Sequence, residues 1–204
     1  MEQASYYISM SAFALVIICW FVFAGIFFFR KKPEAAPDAK KAPRSFIGIA
    51  LQAVGFALVW ALHRSPVFSP FVDSYSANIV LQIAAVSLSA SAAWMAMSAI
   101  RELGKQWSFQ ARLVEGHELV TSGIYSTVRH PIYTAMLANL IATGIVLSHW
   151  VIVIPAVAIF LVGTYIRTSL EEKLLAGAFG AEFENWRSRV PGLVPFLKFS
   201  SQKS

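Results

Sequence analysis

PIYTAMLANLIATGIVLSHWVIVIPAVAIFLVGTYI, running from Pro131 to Ile166, decides the fold, because the number of membrane crossings depends on how it is divided. It contains no Asp, Glu, Lys or Arg. One crossing needs about 20 apolar residues, and this run is longer than that. Ser148-His149 interrupts it, with Gly144 before and Pro155 after. The pattern predicts two short helices, Pro131–Leu147 and Trp150–Ile166, joined by a tight hairpin.

Further uncharged runs lie upstream at Tyr6–Phe29, Ser45–Leu62 and Ser76–Ile100. The first is too long, and lacks the preceding basic stretch, for a secretory leader, so it reads as a span. The third carries AAVSLSASAAWMAMSA (Ala84–Ala99), small residues that suit close helix packing in lipid. The whole chain of 204 residues is 57% hydrophobic with a mean hydropathy of +0.60. Its 14% charged residues fall well below the roughly 25% of soluble domains. An all-α integral membrane protein with five transmembrane helices follows.

The loops orient it. Arg30, Lys31, Lys32, Lys40, Lys41 and Arg44 fill the first loop, and Arg101, Lys105, Arg112 and Arg129 the third. Arg167, Lys173, Arg187, Arg189, Lys198 and Lys203 follow the last helix, whereas Arg64 stands alone on the opposite side. Four or six spans would destroy this asymmetry. The basic side is expected to be cytoplasmic, which puts the N-terminus outside and the C-terminus inside. The net charge of +6 therefore reports topology, not nucleic-acid binding. Residues 1–100 are expected to hold three spans with a cytoplasmic linker at 30–44. Residues 101–204 hold the other two spans, the candidate site and a C-terminal helix. Lys31–Pro43, with three prolines and mixed charges, reads as a flexible linker. Leu170–Trp186 reads as an amphipathic helix at the interface. Cys19 reads as a small buried hydrophobe, and His63, His117, His130 and His149 are too scattered for a metal site.

The chemistry gathers on the basic side. LVTSGIYSTVRHPIY (Leu119–Tyr133) places an Arg-His-Pro-x-Tyr run at the start of the fourth helix, and ionisable groups at membrane level point to function. Gly123 supplies positive φ for a turn, and Pro131 suits a first helical turn. His130 then sits at the cap, beside backbone donors expected to be free for a carboxylate or phosphate. Tyr133 shares its face. At the end of the fifth helix come Arg167, Glu171 and Glu172; the first two, four apart, read as a surface ion pair. If helices four and five pair as a hairpin, Arg129, His130, Tyr133, Arg167 and Glu172 surround one pocket. Trp107, after the third helix, is a candidate for its wall. The competing interpretation has Arg129 and His130 anchoring a helix at the lipid headgroups.

LVTSGIYSTVRHPIY, then RTSLEEKLLAGAFGAEF (Arg167–Phe183), then RVPGLVPFLK (Arg189–Lys198) resemble the isoprenylcysteine carboxyl methyltransferase family in its compact prokaryotic form. More loosely, they are similar to the membrane phospholipid methyltransferases. The resemblance covers about Leu103 to Lys198. It implies an S-adenosylmethionine-dependent methyltransferase in a prokaryotic plasma membrane, its active site facing the cytoplasm, acting on a lipophilic or lipidated acceptor and releasing S-adenosylhomocysteine. It also implies cofactor contacts from Leu119, Val120, Gly123, Tyr125, His130, Pro131, Tyr133 and Glu172. Arg129, Arg167 and Glu172 would stand near the reacting centre. Under this reading either arginine orients an acceptor carboxylate by paired hydrogen bonds. Glu172 holds an arginine or binds the cofactor ribose. Short fourth and fifth helices leave a gap for a lipid tail. A sterol-reductase-like NADPH enzyme and a non-enzymatic membrane scaffold are the alternatives. Gln52, Gln82 and Asn139, the amides within the spans, read as interhelical hydrogen-bonders.

Overall fold

In lipid a backbone group finds no water, so an uncharged apolar run must satisfy its own N–H and C=O groups as helix. The computed structural model, which describes residues 2–28, 38–64 and 75–195, shows this for every apolar run. The helices are α1 (Glu2–Phe28), α2 (Ser45–Ala61), α3 (Tyr75–Leu103), α4 (Pro131–Leu147), α5 (Trp150–Phe179) and α6 (Ala181–Arg189). Among the described residues, three segments are long and apolar enough to cross a membrane: Tyr6–Phe27, Ser76–Gln106 and Trp150–Phe179. Ser45–Ala61 and Pro131–Leu147 are apolar and shorter, at 17 residues each. The chain is an all-helical integral membrane protein to which, among the described residues, a two-stranded sheet is added.

That sheet corrects the linker expectation. Asp38–Lys41 form β1, antiparallel to β2 (Arg112–Val114), with a bulge between Asp38 and Lys40. Ala42 N–H continues the ladder to Ala111 C=O at 3.0 Å. The rest of the expected linker, 30–37, lies outside the described residues.

α1 and α4 pack on α3, and α2 packs on α5. The α3 seam is built from small residues: Ala92, Ala93 and Ala96 meet Ala135 of α4 and Phe23 of α1. Ser89 Oγ donates to Asn139 Oδ1 across it at 2.7 Å. α2 and α5 approach even more closely. A Cβ on Gly48 would lie 2.6 Å from Gly163 C=O, and one on Gly163 the same distance from Gly48 C=O. Glycine on both helices is what lets the backbones touch. Beside this contact Gln52 Nε2 donates to Thr164 Oγ1 at 2.9 Å.

The α4–α5 hairpin turns at Ser148-His149, as the sequence predicts. Arg64, the lone basic residue predicted for that end, is buried there. Its Nε donates to Ser148 C=O at 3.0 Å and an Nη to Ile145 C=O at 2.9 Å, closing carbonyls that α4 leaves open. Burial lowers its pKa to about 10, which leaves it cationic at the negative helix end.

At the other end the fifth helix does not stop at Ile166. α5 continues to Phe179, and Gly180, at φ +50°, separates it from α6. Arg167 and Thr168 are buried in mid-helix. The segment expected as one amphipathic helix is thus the end of α5 plus α6. Its apolar side, including Phe179, Phe183 and Trp186, packs against Ala99 and Tyr125.

Candidate active site

His130 occupies the N-cap of α4 and Pro131 its first turn, as expected. The backbone donors preceding the helix are not free, however. Arg129 N–H donates to Pro191 C=O at 2.8 Å and His130 N–H to Gly192 C=O at 3.0 Å. Thr134 Oγ1 reaches Leu193 C=O. The RVPGL segment after α6 therefore folds back onto the start of α4 and takes up the two N–H groups that precede Pro131.

Arg129 is fixed by the same segment. One Nη donates to Arg187 C=O at 2.8 Å and Val190 C=O at 2.7 Å. Its Nε and other Nη lie 3.1 and 3.0 Å from Glu172 Oε1. Glu172 also accepts from His130 Nε2 at 2.9 Å and pairs with Arg187 Nε at 3.3 Å. One carboxylate thus ties three cations together behind the start of α4. Of the two roles open to Glu172, holding an arginine is the one its contacts describe.

Its neighbour Glu171 points elsewhere. It accepts a short hydrogen bond from Tyr133 O–H, and its Oε2 lies 3.6 Å from His130 Nδ1. Both nitrogens of His130 therefore face carboxylates, an arrangement only the imidazolium satisfies with two donors. Burial pulls the His130 pKa down, but hydrogen bonds and charges from Glu171 and Glu172 outweigh it and leave it raised. The expected Arg167–Glu171 surface pair is absent among the described contacts. Arg167 is buried, donating to Gln52 Oε1 at 3.0 Å and to Phe109 C=O, with its guanidinium 4.8 Å from the centre of the Tyr133 ring. Its Nε–H has no hydrogen-bond partner among the described residues.

These side chains border a cavity of about 370 Å³. Arg129, His130, Pro131, Tyr133, Arg167 and Glu171 contribute to its wall, as do Leu119, Val120, Tyr125 and Trp107. Gly123 and Glu172 do not. Gly123 shapes the wall indirectly: at φ +55° it starts the turn Gly123–Ser126 that buries Tyr125, and Glu102 fills the space a side chain would need. Burial, followed by the Glu171 and Glu102 charges, pushes the Tyr125 phenol up. Gln110 and Phe109, which the sequence does not single out, also line the cavity, as do Glu171, Gln52, His117 and Trp186, which it assigns to other roles. His117 has a buried, unpartnered Nδ1, and burial lowers its pKa. Trp186 donates to Tyr125 C=O at 3.3 Å.

The cavity has two characters. Towards the loops it is polar, walled by Glu171, Gln106, Gln110 and His117; towards the bundle it is apolar, walled by Trp20, Phe23 and Phe27 of α1 and Ile49, Ala53 and Phe56 of α2. The apolar part follows the α1–α2 seam, not the gap expected between α4 and α5. The reason is packing: α1 rests on α3 and α2 on α5, which leaves those two helices apart.

The site is thus a pocket of buried Arg, Tyr and His and half-buried Glu side chains at one end of a helical membrane bundle, continuing into an apolar groove. Residues 80–182 match the family model for phospholipid methyltransferase, and the chain belongs to that family. It is 28% identical over 120 residues to a protein-S-isoprenylcysteine O-methyltransferase of Schizosaccharomyces pombe, covering 58% of this chain and 51% of that protein. Over 86 residues it is 33% identical to protein-S-isoprenylcysteine O-methyltransferase B of Arabidopsis thaliana, covering 42% and 44%. The Mus musculus protein-S-isoprenylcysteine O-methyltransferase is 34% identical over 90 residues, covering 44% and 31%. The matched stretches span about half or less of the length of these relatives.

Proposed function

We propose that this protein is an S-adenosylmethionine-dependent methyltransferase that esterifies the carboxylate of a lipidic, isoprenylcysteine-like acceptor. The observation that carries the reading is the position of Arg167. It stands where the polar cavity meets the apolar groove, beside Tyr133 and Gln52, with an unpartnered Nε–H. The names of the relatives support the same acceptor class. Five crossings, with the basic loops and the polar cavity facing the cytoplasm, complete the reading, and residues 101–204 supply most of the site.

The residues present suit the cofactor. The cavity volume lies within the range of small-molecule sites, about 300–1,000 Å³, and its polar half holds an unpartnered His117 nitrogen and the Glu171 carboxylate. Leu119, Val120, Leu175 and Trp186 offer apolar surface for an adenine; Tyr125 and Tyr133 offer ring faces to a cation. Glu171 accepts hydrogen bonds from ribose or ammonium donors. When bound, S-adenosylmethionine supplies a sulfonium methyl electrophilic enough to react with an ionised carboxylate.

The protein then needs no general base, because a carboxylate nucleophile is already ionised. Arg167 orients it by paired hydrogen bonds, giving up Phe109 C=O to do so. The apolar walls strip water from it, and position does the rest. Arg129, four of whose five donors are engaged, serves the pocket as a clamp and not as the acceptor ligand. Glu172, His130 and Pro131 hold the start of α4 so that Tyr133 and Glu171 keep their places.

Calorimetric titration of the detergent-solubilised protein with S-adenosylhomocysteine tests the reading. Micromolar binding to wild type, lost in Glu171→Ala, is expected. Binding of NADPH in its place would replace this reading with a reductase.

A further inference from the structure

The apolar groove does not end at the cavity. A second, wholly apolar chamber of about 420 Å³, open on the side of the exposed Phe21, adjoins it, lined by Ile17, Trp20, Phe21, Phe56 and Trp60. Trp20 and Phe56 belong to both chambers. We propose that Trp20, which with Phe56 is shared by both chambers, is the partition that fixes how long an acceptor tail the enzyme accepts. This rests on the tail-binding reading above.

Three observations point to it. First, the spacing is that of a lipid tail. Gln52 touches Arg167, where the acceptor head is held. Phe56 lies one turn deeper on α2 and Trp60 two turns, about 6 and 12 Å at 1.5 Å per residue. The partition therefore meets a tail just beyond its first isoprene unit or two.

Second, the two sides of the partition differ in firmness. Phe56 is braced edge-on by Phe160, which is fully buried, with ring centres 6.0 Å apart. Trp20 meets Phe21 of its own helix and Trp60 of α2, at 6.4 and 5.7 Å, and neither of these rings is fully buried.

Third, the indoles are costly where they are. Trp20 Nε1 and Trp60 Nε1 are both buried without a hydrogen-bond partner among the described residues. A buried unpaired N–H is a penalty that a phenyl or aliphatic side chain would avoid, and in membranes tryptophan normally sits where its N–H is wet. What the indole uniquely supplies at Trp20 is bulk.

The occupant is the acceptor's own tail, because the groove is continuous with the pocket that holds the head. In wild type the tail is confined to the first chamber, and longer tails must force the partition.

The test compares turnover of N-acetyl-S-geranyl-cysteine and N-acetyl-S-geranylgeranyl-cysteine by wild type, Trp20→Ala and the milder Trp20→Leu, each first shown to bind S-adenosylhomocysteine. Wild type is expected to favour the shorter acceptor. Either substitution should raise the long-to-short ratio of kcat/KM by about tenfold or more, since a single methylene in an apolar pocket already counts for roughly 10–200-fold. Adding Ile17→Phe, which fills the second chamber, should return the ratio towards wild type. A ratio unchanged within twofold in both variants overturns the partition and leaves the second chamber to bilayer acyl chains. Turnover of neither acceptor by a wild type that binds S-adenosylhomocysteine overturns the acceptor reading itself, and the partition with it.

Discussion

Replacing Glu172 by Gln separates the clamp from the pocket. Glu172 accepts from Arg129 and His130 through one oxygen and pairs with Arg187 through the other, with its side chain only 16% exposed. The amide keeps one acceptor but turns an NH2 towards a cation and removes the negative charge that three cations share. Breaking a buried pair on one side costs about 3–5 kcal/mol; partial exposure and the surviving acceptor place Glu172→Gln near the low end, about 3 kcal/mol. At about 2–4 °C per kcal/mol for a chain of this size, the melting midpoint should fall by about 6–12 °C. Glu171→Gln is the matched control. Its amide oxygen can still accept from Tyr133, and the His130 contact it weakens is long, at 3.6 Å. Its stability cost should stay below about 1 kcal/mol, while S-adenosylhomocysteine affinity drops at least tenfold, about 1.4 kcal/mol. Thermal unfolding in detergent and calorimetry read the two quantities on the same samples. A Glu172→Gln protein melting within 2 °C of wild type, or a Glu171→Gln protein melting as low as its neighbour, would refute the division of labour.

Four further outcomes follow from the same contacts. His130 has a raised pKa in the folded protein, so its contribution is complete below its ordinary value of about 6.5 and disappears as pH rises through the folded value. Melting midpoints should therefore fall from pH 6 to 9 in wild type and flatten in His130→Gln; a wild-type midpoint that rises over that range contradicts the imidazolium. Arg167→Lys keeps the charge but loses the fork, so methyl transfer should slow by about 100-fold, about 2.7 kcal/mol, with S-adenosylhomocysteine affinity nearly unchanged. Equal loss of both would place Arg167 on the cofactor. Gly163→Val should destabilise by about 2 kcal/mol or more, because the α2 backbone occupies the space, and unchanged melting would deny the close α2–α5 approach. Gly123→Ala should cost about 1–2 kcal/mol from its positive φ, the Glu102 carboxylate being free to swing aside, and an unaltered midpoint would argue against the turn.

What was legible in the sequence is what one helix can show by itself. Ser148-His149 stands out as a polar break in an apolar run, so the α4–α5 hairpin is readable to the residue. Gly123, His130 and Pro131 announce a turn and a helix start by their own backbone preferences. The misplaced end of α5 has a physical cause. Arg167, Glu171 and Glu172 look like a helix leaving the membrane, yet they are polar because a pocket is built there, and the helix continues past them. The Glu171–Glu172 distinction was out of reach for a related reason. Adjacent helical residues point about 100° apart, and which one faces the cavity depends on how α5 is rotated against α2. That rotation is set by Gly48 and Gly163, more than a hundred residues apart in the chain. The Phe109 carbonyl on Arg167 and the Pro191 and Gly192 carbonyls on the start of α4 carry no side-chain signature, so no residue pattern announces them.

That last contact bears on how the protein is made. The start of α4 is finished by carbonyls that lie beyond α6, so a nascent chain can insert every apolar helix and still have an open, unclamped site. On the proposed function, competence to bind the cofactor should arrive only after residues 186–193 leave the ribosome and fold back. A premature stop anywhere in α6 should therefore yield a protein that reaches the membrane with its apolar helices in place and, on the proposed reading, binds no S-adenosylhomocysteine.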